Sequence, residues 1–355
     1  MNILNYKILY SEPNRLLFNS RLRFQLYRKV GGLIRTGMPL PLALDAVWQY
    51  ASNTGRRNSV LAAVLKDWRQ RVYDGQGCGR SLAHWVPFSE WIIIEAGAAN
   101  LAEALDDAAR LIDVSRQVAA AVMNALTYPL FLLVLFMGIL WVFSEQALPA
   151  FAQIKPMAEW TGISAGMAVL AELAHWSLLP MAIGAILGLA LFWWTLPKWT
   201  GRLRGLLDHY IPWSLYRFLR AVSFLMSLSA LLRSGLPIIE AIRRLRVSAG
   251  PWLAERLDAV LYYLSSGHDL GTALRLAGHG FPDDQLIEDL AIHASIGGLE
   301  ESLDGIVKEW LALKIEHLNR SAGIIRALSM VFLAFSIAIM QLSIIGLQQQ
   351  LTSGL

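Results

Sequence analysis

Leu33-Ile-Arg-Thr-Gly-Met-Pro-Leu-Pro-Leu-Ala43 is written a second time in this chain, as Leu231-Leu-Arg-Ser-Gly-Leu-Pro-Ile-Ile-Glu-Ala241. Arg35, Gly37, Pro39 and Ala43 fall on Arg233, Gly235, Pro237 and Ala241, a constant offset of 198. Leu101 and Leu105, which close the first unit, stand at the same distance before Leu299 and Leu303. Solenoid periods run to about 20–50 residues, so this spacing means a duplicated domain and not a repeat array. Apolar sequence separates the copies. Two water-compatible copies with a spanning segment between them imply one unit presented twice on the same side of a bilayer.

Three runs are long and apolar enough for a hydrocarbon core that needs about 20 helical residues. They are Ala119 to Phe143, Trp176 to Leu196 and Ala327 to Leu347, none containing a charged side chain. Arg116, Lys198 and Arg326 stand at their ends, and Trp141, Trp176, Trp193 and Trp194 lie near the expected interfaces. A membrane helix tolerates Pro129 and Pro180 because neighbouring groups satisfy the freed carbonyls. The totals agree: 55% hydrophobic and 16% charged residues, with a mean hydropathy of +0.44, suit neither a soluble protein nor a bundle of spans alone. Met1 to Lys7 lacks the pattern of a removable signal, so insertion by internal segments is expected. The single cysteine, Cys78, cannot form an internal disulfide.

Lysine and arginine set the orientation. Residues 1–118 hold 15, residues 144–175 only Lys155, residues 198–326 another 15, and the stretch after Arg326 none. Cationic segments stay cytoplasmic. The expected layout is a segment 1–20, a first cytoplasmic helical domain 21–118, a span 119–143 and a periplasmic loop 144–175 with an interfacial helix. A second span 176–196, a second cytoplasmic helical domain 197–326, a third span 327–347 and a periplasmic tail 348–355 complete it. The pI of about 9.2 follows from this bias and from attraction to anionic lipid, so no nucleic-acid partner is expected.

Both copies read as helical. Phe24, Tyr27, Val30, Gly31 and Ile34, then Leu40, Ala43, Leu44 and Val47, keep three-and-four spacing across a Gly-Met-Pro break. Phe224, Leu225, Leu228, Leu231 and Leu232, then Ile238, Ala241, Ile242 and Leu245, repeat the pattern. Gly37 and Gly235 suit a left-handed helix cap, and Pro39 and Pro237 the first turn of the next helix. These four residues form the structural turn motif, a tight helix–helix corner. Downstream, Gly75-Gln-Gly-Cys-Gly79 has Gly267-His-Asp-Leu-Gly-Thr-Ala273 as its partner, with Gly79 to Leu82 matching the step Gly267 to Leu270. Neither has the Gly-Lys-Ser/Thr ending of a nucleotide loop, so turn and cap is the reading, with Ser81 and Asp269 as candidate caps. Val86-Pro87 and Phe281-Pro282 follow at an offset of 195. The fold class is all-α, with two duplicated cytoplasmic helical bundles and three transmembrane helices.

With the Leu-x-x-x-Gly-x-Pro-x-x-x-Ala corner, the Gly-x-x-Leu turn, Phe-Pro and the closing Gly-x-Leu in place, the chain resembles the type II secretion F family. This is a family of inner-membrane platform proteins of type IV pilus assembly and type II secretion. Tyr128-Pro129, Leu148-Pro-Ala-Phe151 and the apolar segment Trp160 to His175 add to the likeness, which covers residue 20 to the end. The short N-terminal region is more similar to the type IVb or plasmid thin-pilus branch. The family's Gly-Glu-x-x-Gly-x-Leu is altered in both copies. Glu95 is displaced and Ala99 replaces glycine in Glu95-Ala-Gly-Ala-Ala-Asn-Leu101, and Ala294 stands where the acid would be in His293-Ala-Ser-Ile-Gly-Gly-Leu299. The resemblance implies a platform coupling a cytoplasmic hexameric assembly ATPase to incorporation of pilin subunits. It also implies contacts with other inner-membrane pilus assembly proteins and self-association into a homo-oligomer.

Side chains for chemistry are lacking. His268, His279 and His293 have no ligand spacing, Asp283-Asp284, Glu288-Asp289 and Glu300-Glu301 read as solvated helix faces, and no nucleophile motif appears. The expectation is a non-enzymatic protein without cofactor, metal or catalytic residues. An oligomeric transporter or channel is the rival class. Its usual mark, ionisable residues inside the spans, is absent from these runs. Arg35 and Arg233 are the candidate partner-binding residues, as corner charges offered to an acidic surface; local capping of helix carbonyls is the alternative.

Overall fold

The computed structural model describes residues 17–53, 59–147, 195–210, 213–296 and 299–352, with isolated positions between 149 and 188. The expected second span 176–196 and the loop 144–175 therefore lie almost entirely outside the described residues. Among those that are described the chain is all-α, with twelve α-helices and no strand.

The first copy runs through α1 (Ser20–Arg35), α2 (Leu40–Ser52), α3 (Val60–Tyr73), a 3-10 turn at Arg80–Leu82, α4 (Phe88–Ala96) and α5 (Leu101–Val142). After a short α6 (Arg202–Leu207), the second copy follows the same order. It comprises α7 (Trp213–Arg233), α8 (Ile238–Val247), α9 (Pro251–Ser265), α10 (Leu270–Leu276), α11 (Asp284–Ile296) and α12 (Leu299–Thr352).

Local chemistry sets the helix starts. Asn19 Oδ1 accepts from Leu22 N at 3.0 Å, Ser59 Oγ from Ala62 N at 3.1 Å, and Asp269 Oδ1 from Thr272 N at 2.9 Å. Ser81 instead donates to Gly77 O at 2.6 Å and lies inside its 3-10 turn.

Helix ends repeat even more closely. Gly37 N donates to Ile34 O at 2.9 Å and Met38 N to Leu33 O at 3.2 Å; Gly235 N and Leu236 N donate to Leu232 O and Leu231 O at 2.8 and 3.2 Å. Both glycines have positive φ, +90° and +82°, so each corner is a Schellman cap. Pro39 and Pro237 are the N-cap residues of α2 and α8.

The glycine-rich turns pair differently from the Gly-x-x-Leu step. Gly75 and Gly267, both with positive φ, close α3 and α9 in the same way. The partner of Gly79 is then Gly271, four residues on in each copy. A Cβ on Gly79 would stand 2.1 Å from Trp91 O, and one on Gly271 would stand 2.2 Å from Ala291 Cα. These glycines let the turn lie directly on α4 and on α11. Gly267, with its positive φ, is a conformational glycine, whereas Gly79 is a close-contact one, although both stand three residues before a leucine.

The chain divides into two compact units. Met1–Gln117 with Leu196–Leu313 make the first, which holds both copies except the later parts of α5 and α12; Val118–Thr195 with Lys314–Leu355 make the second. In the first unit, Leu26, Tyr27, Val30, Leu44, Trp68 and Ile93 are buried, as are Leu225, Leu228, Ile242, Trp252 and Leu290. Helix α7 packs against α8 and also against α4 of the other copy. It buries Ala221, Ser227, Ser229 and Ala230 as well as Phe224, Leu225 and Leu228.

Among the described residues, three helices are long and apolar enough to cross a membrane: the segments Ala98–Gln146, Trp213–Arg233 and Leu303–Gly346. Only 12% and 6% of the apolar windows around α5 and α12 are buried, against 67% for α7. In the second unit, Leu130, Phe131 and Val134 and then Val331, Phe332 and Phe335 face outward, as lipid-facing residues do. The apolarity of α7 is used by the core of the first unit.

Two kinds of glycine should fail in different ways. Gly37→Ala and Gly235→Ala meet open space and should lose about 1–2 kcal/mol through the left-handed backbone alone. Gly79→Ala and Gly271→Ala lack a positive φ yet should destabilise more, because backbone atoms must move. Thermal unfolding of the four detergent-purified variants would rank them.

Candidate functional site

The Schellman caps place Arg35 and Arg233 at the last helical positions of α1 and α7, where side chains clear the helix end. Among the described residues each guanidinium ends on carboxylates and not on a helix carbonyl. Arg35 Nη2 pairs with Asp106 Oδ2, and Arg28 Nη1 reaches the other oxygen of that carboxylate at 3.2 Å. Arg233 is held by three acids. Its Nη2 pairs with Asp107 Oδ2, and its Nη1 lies 3.6 Å from both Glu103 Oε1 and Asp304 Oδ1.

The two candidate residues, 198 positions apart, thus meet neighbouring carboxylates on one helix, α5. Each corner also meets the acid of its own copy, because Asp106 and Asp304 are themselves separated by 198. That signal was available. Each aspartate directly follows one of the aligned leucines, Leu105 or Leu303. The second carboxylate has no repeat, since Asp107 corresponds to Gly305.

The electrostatics differ accordingly. The Arg35 side chain is 59% exposed and Asp106 is half-buried, an arrangement worth about 0–1 kcal/mol. Arg233 is 33% exposed and Asp107 only 12%. Burial raises the pKa of Asp107, outweighing the pull of Arg233. Its ionised form is therefore held at a cost.

Beside Arg35 the surface opens into a cleft of about 570 Å³ lined by Ile34, Asn100, Leu101, Glu103 and Asp106. The displaced Glu95 has a job in this fold. Its Oε2 accepts from Gly79 N at 2.9 Å and Arg80 N at 3.1 Å, fixing the 3-10 turn on α4. Glu90 accepts from Arg23 Nε at 3.0 Å and from Tyr27 Oη at 2.9 Å, joining α1 to α4, and burial raises its pKa. Cys78 is half-buried, and burial followed by the Glu95 charge pushes its thiol up, away from a reactive thiolate.

This is the corner of a duplicated membrane-anchored helical unit, and comparison with known proteins gives the family. Residues 26–149 and 224–346 match the family described as type II secretion system (T2SS), protein F, so the chain belongs to that family and carries its domain twice. Membership makes it an inner-membrane protein. Among relatives, toxin coregulated pilus biosynthesis protein E of Vibrio cholerae is 19% identical over 96% of this chain and 99% of its own. Type II secretion system protein F of Xanthomonas campestris is 27% identical over 75% of this chain and 67% of its own. Type IV pilus assembly protein PilC of Thermus thermophilus is 24% identical, over 86% and 76%.

Two outcomes test these electrostatics. Arg233→Ala should cost about 1–3 kcal/mol by stranding Asp107, and Arg35→Ala no more than about 1. Urea unfolding should show the difference, and a cycle with Asp107→Ala should return a coupling for Arg233 alone. Because the native pKa of Asp107 is raised, its protonated form favours folding. That contribution is complete below the ordinary aspartate pKa and is lost as pH rises through the native one. Relative to Asp107→Asn, the wild type should lose melting temperature from about pH 4 upward.

Proposed function

We propose that this protein is the non-enzymatic inner-membrane platform of a type IV pilus assembly machine. In this reading it couples a cytoplasmic assembly ATPase to the incorporation of pilin subunits. The observation that carries the reading is the duplicated helical unit joined to apolar helices by α5 and α12. Each of those helices contributes residues to both compact units. A helix resists bending, so a tilt imposed on the corner of either copy is passed along its axis with little internal loss. Pilins enter through their own apolar helices, for which the uncharged runs of α5 and α12 are chemically suited. The end-to-end match with a pilus biosynthesis protein supports the pilus branch.

The similarity to a type II secretion protein supports a second form of the same role, in which the fibre serves secretion. Either form needs an ATPase contact. Arg35, more exposed than Arg233 and standing over an open cleft, is the corner we assign to an acidic face of that partner.

Detergent co-purification of the tagged chain with its cognate ATPase tests both levels. Stable co-elution is expected, together with a loss of at least tenfold in bound ATPase for Arg35→Glu, with the variant still unfolding cooperatively. Retained binding by that variant would move the docking face elsewhere and leave the platform role intact. No association of the folded wild type would overturn the coupling role.

A further inference from the structure

Helix α6 is built inside out. Leu203, Leu206 and Tyr210 are 69%, 68% and 67% exposed, whereas Arg204 and Asp208 are 0% and 1% exposed. Trp199, just before the helix, is 37% exposed. Leu203 and Leu206 share one face of the helix, while Trp199 precedes it beyond Gly201, whose φ is +97°, and Tyr210 follows it in the next bend.

The inner face explains why the charges are inside. Asp208 Oδ2 accepts from Arg256 Nη2 at 2.6 Å and from Trp252 Nε1 at 3.2 Å, and its other oxygen pairs with Arg204. The Arg256 guanidinium lies 3.9 Å from the Trp252 ring centre and donates to Trp252 O at 2.8 Å. Trp252 N also donates to Pro197 O at 3.4 Å, so α9 grips the segment at both ends. The orientation of α6 is thus fixed by a buried ionic cluster, and its leucines are held outward.

In water that arrangement wastes apolar area on a face that could have turned inward. Single exposed apolar residues are ordinary; four within twelve residues, around a helix whose charged side chains are fully buried, are not. The sequence position names the environment. The stretch begins three residues after Leu196, where the uncharged run Trp176 to Leu196 ends, and Lys198 and Arg202 accompany it. Tryptophan and tyrosine at its two ends suit the headgroup boundary, and the cations suit anionic phospholipid.

We propose that Trp199 to Tyr210 lies in the cytoplasmic headgroup layer with its leucines in lipid. The segment acts as a collar that fixes the height and rotation of the second copy at the membrane. The assignment stands independently of any ATPase contact.

The test uses the full chain in phosphatidylethanolamine–phosphatidylglycerol vesicles. With Cys78→Ser as background, nitroxides are placed through Leu203→Cys, Leu206→Cys and Tyr210→Cys, and at the exposed controls Val247→Cys and Tyr262→Cys. Collision with oxygen relative to a water-soluble nickel chelate should be several-fold higher at 203, 206 and 210 than at the controls. Control-like ratios would overturn the proposal. Low collision with both reagents would overturn it in favour of a protein partner. A lipid-soluble carbene probe on the unmodified chain gives an answer free of substitutions: labelling of the 199–210 peptide is expected, and its absence would count against lipid burial.

Discussion

Helix α7 is enclosed on two sides by protein, by α8 of its own copy and by α4 of the other, and the first unit is organised around that enclosure. A helix in such a place cannot be amphipathic. It needs large apolar residues for its own copy and small ones where another backbone comes close. Leu225 and Leu228 are buried along with the small residues Ala221, Ser227, Ser229 and Ala230. The Schellman cap at Gly235 then ends the helix where Arg233 meets Asp107 and Glu103 of the first copy and Asp304 of the second. Docking of the copies and placement of the ionic corner are one constraint.

The same enclosure shows why length and apolarity do not identify a membrane helix. Trp213–Arg233 passes both criteria, as the windows around α5 and α12 do. What separates them is exposure, a tertiary property. The burial of α7 within the first unit shows that its apolar residues serve a protein core.

Much of the fold was legible because it depends on residues close in sequence. Gly37 and Gly235, Pro39 and Pro237, and the leucine rows signal helix ends and faces within a few positions of themselves. The site was less legible, because its acids lie 71 and 126 residues from the arginines they meet. Pairing of Asp106 with Asp304 by the common offset was within reach of sequence reasoning. The bridge from Arg233 to Asp107 was not, since it has no counterpart in the repeat. Helix α6 was hidden for another reason. Leu203 and Leu206 spell an ordinary apolar face, and only the packing of Arg204 and Asp208 reveals that it points outward.

Asp107 and Gly305 occupy the same position in the two halves of this chain, and the difference has a history in it. Two separate molecules of a single-copy ancestor would carry the same residue at both places, and any change would act on both. Duplication lets one half carry a carboxylate for the other half's arginine while that other half holds glycine. The asymmetry gives the tandem a direction: the halves have become donor and receiver and can no longer trade places. A chain assembled from two first halves would have a spare acid, and one assembled from two second halves would leave Arg233 without Asp107.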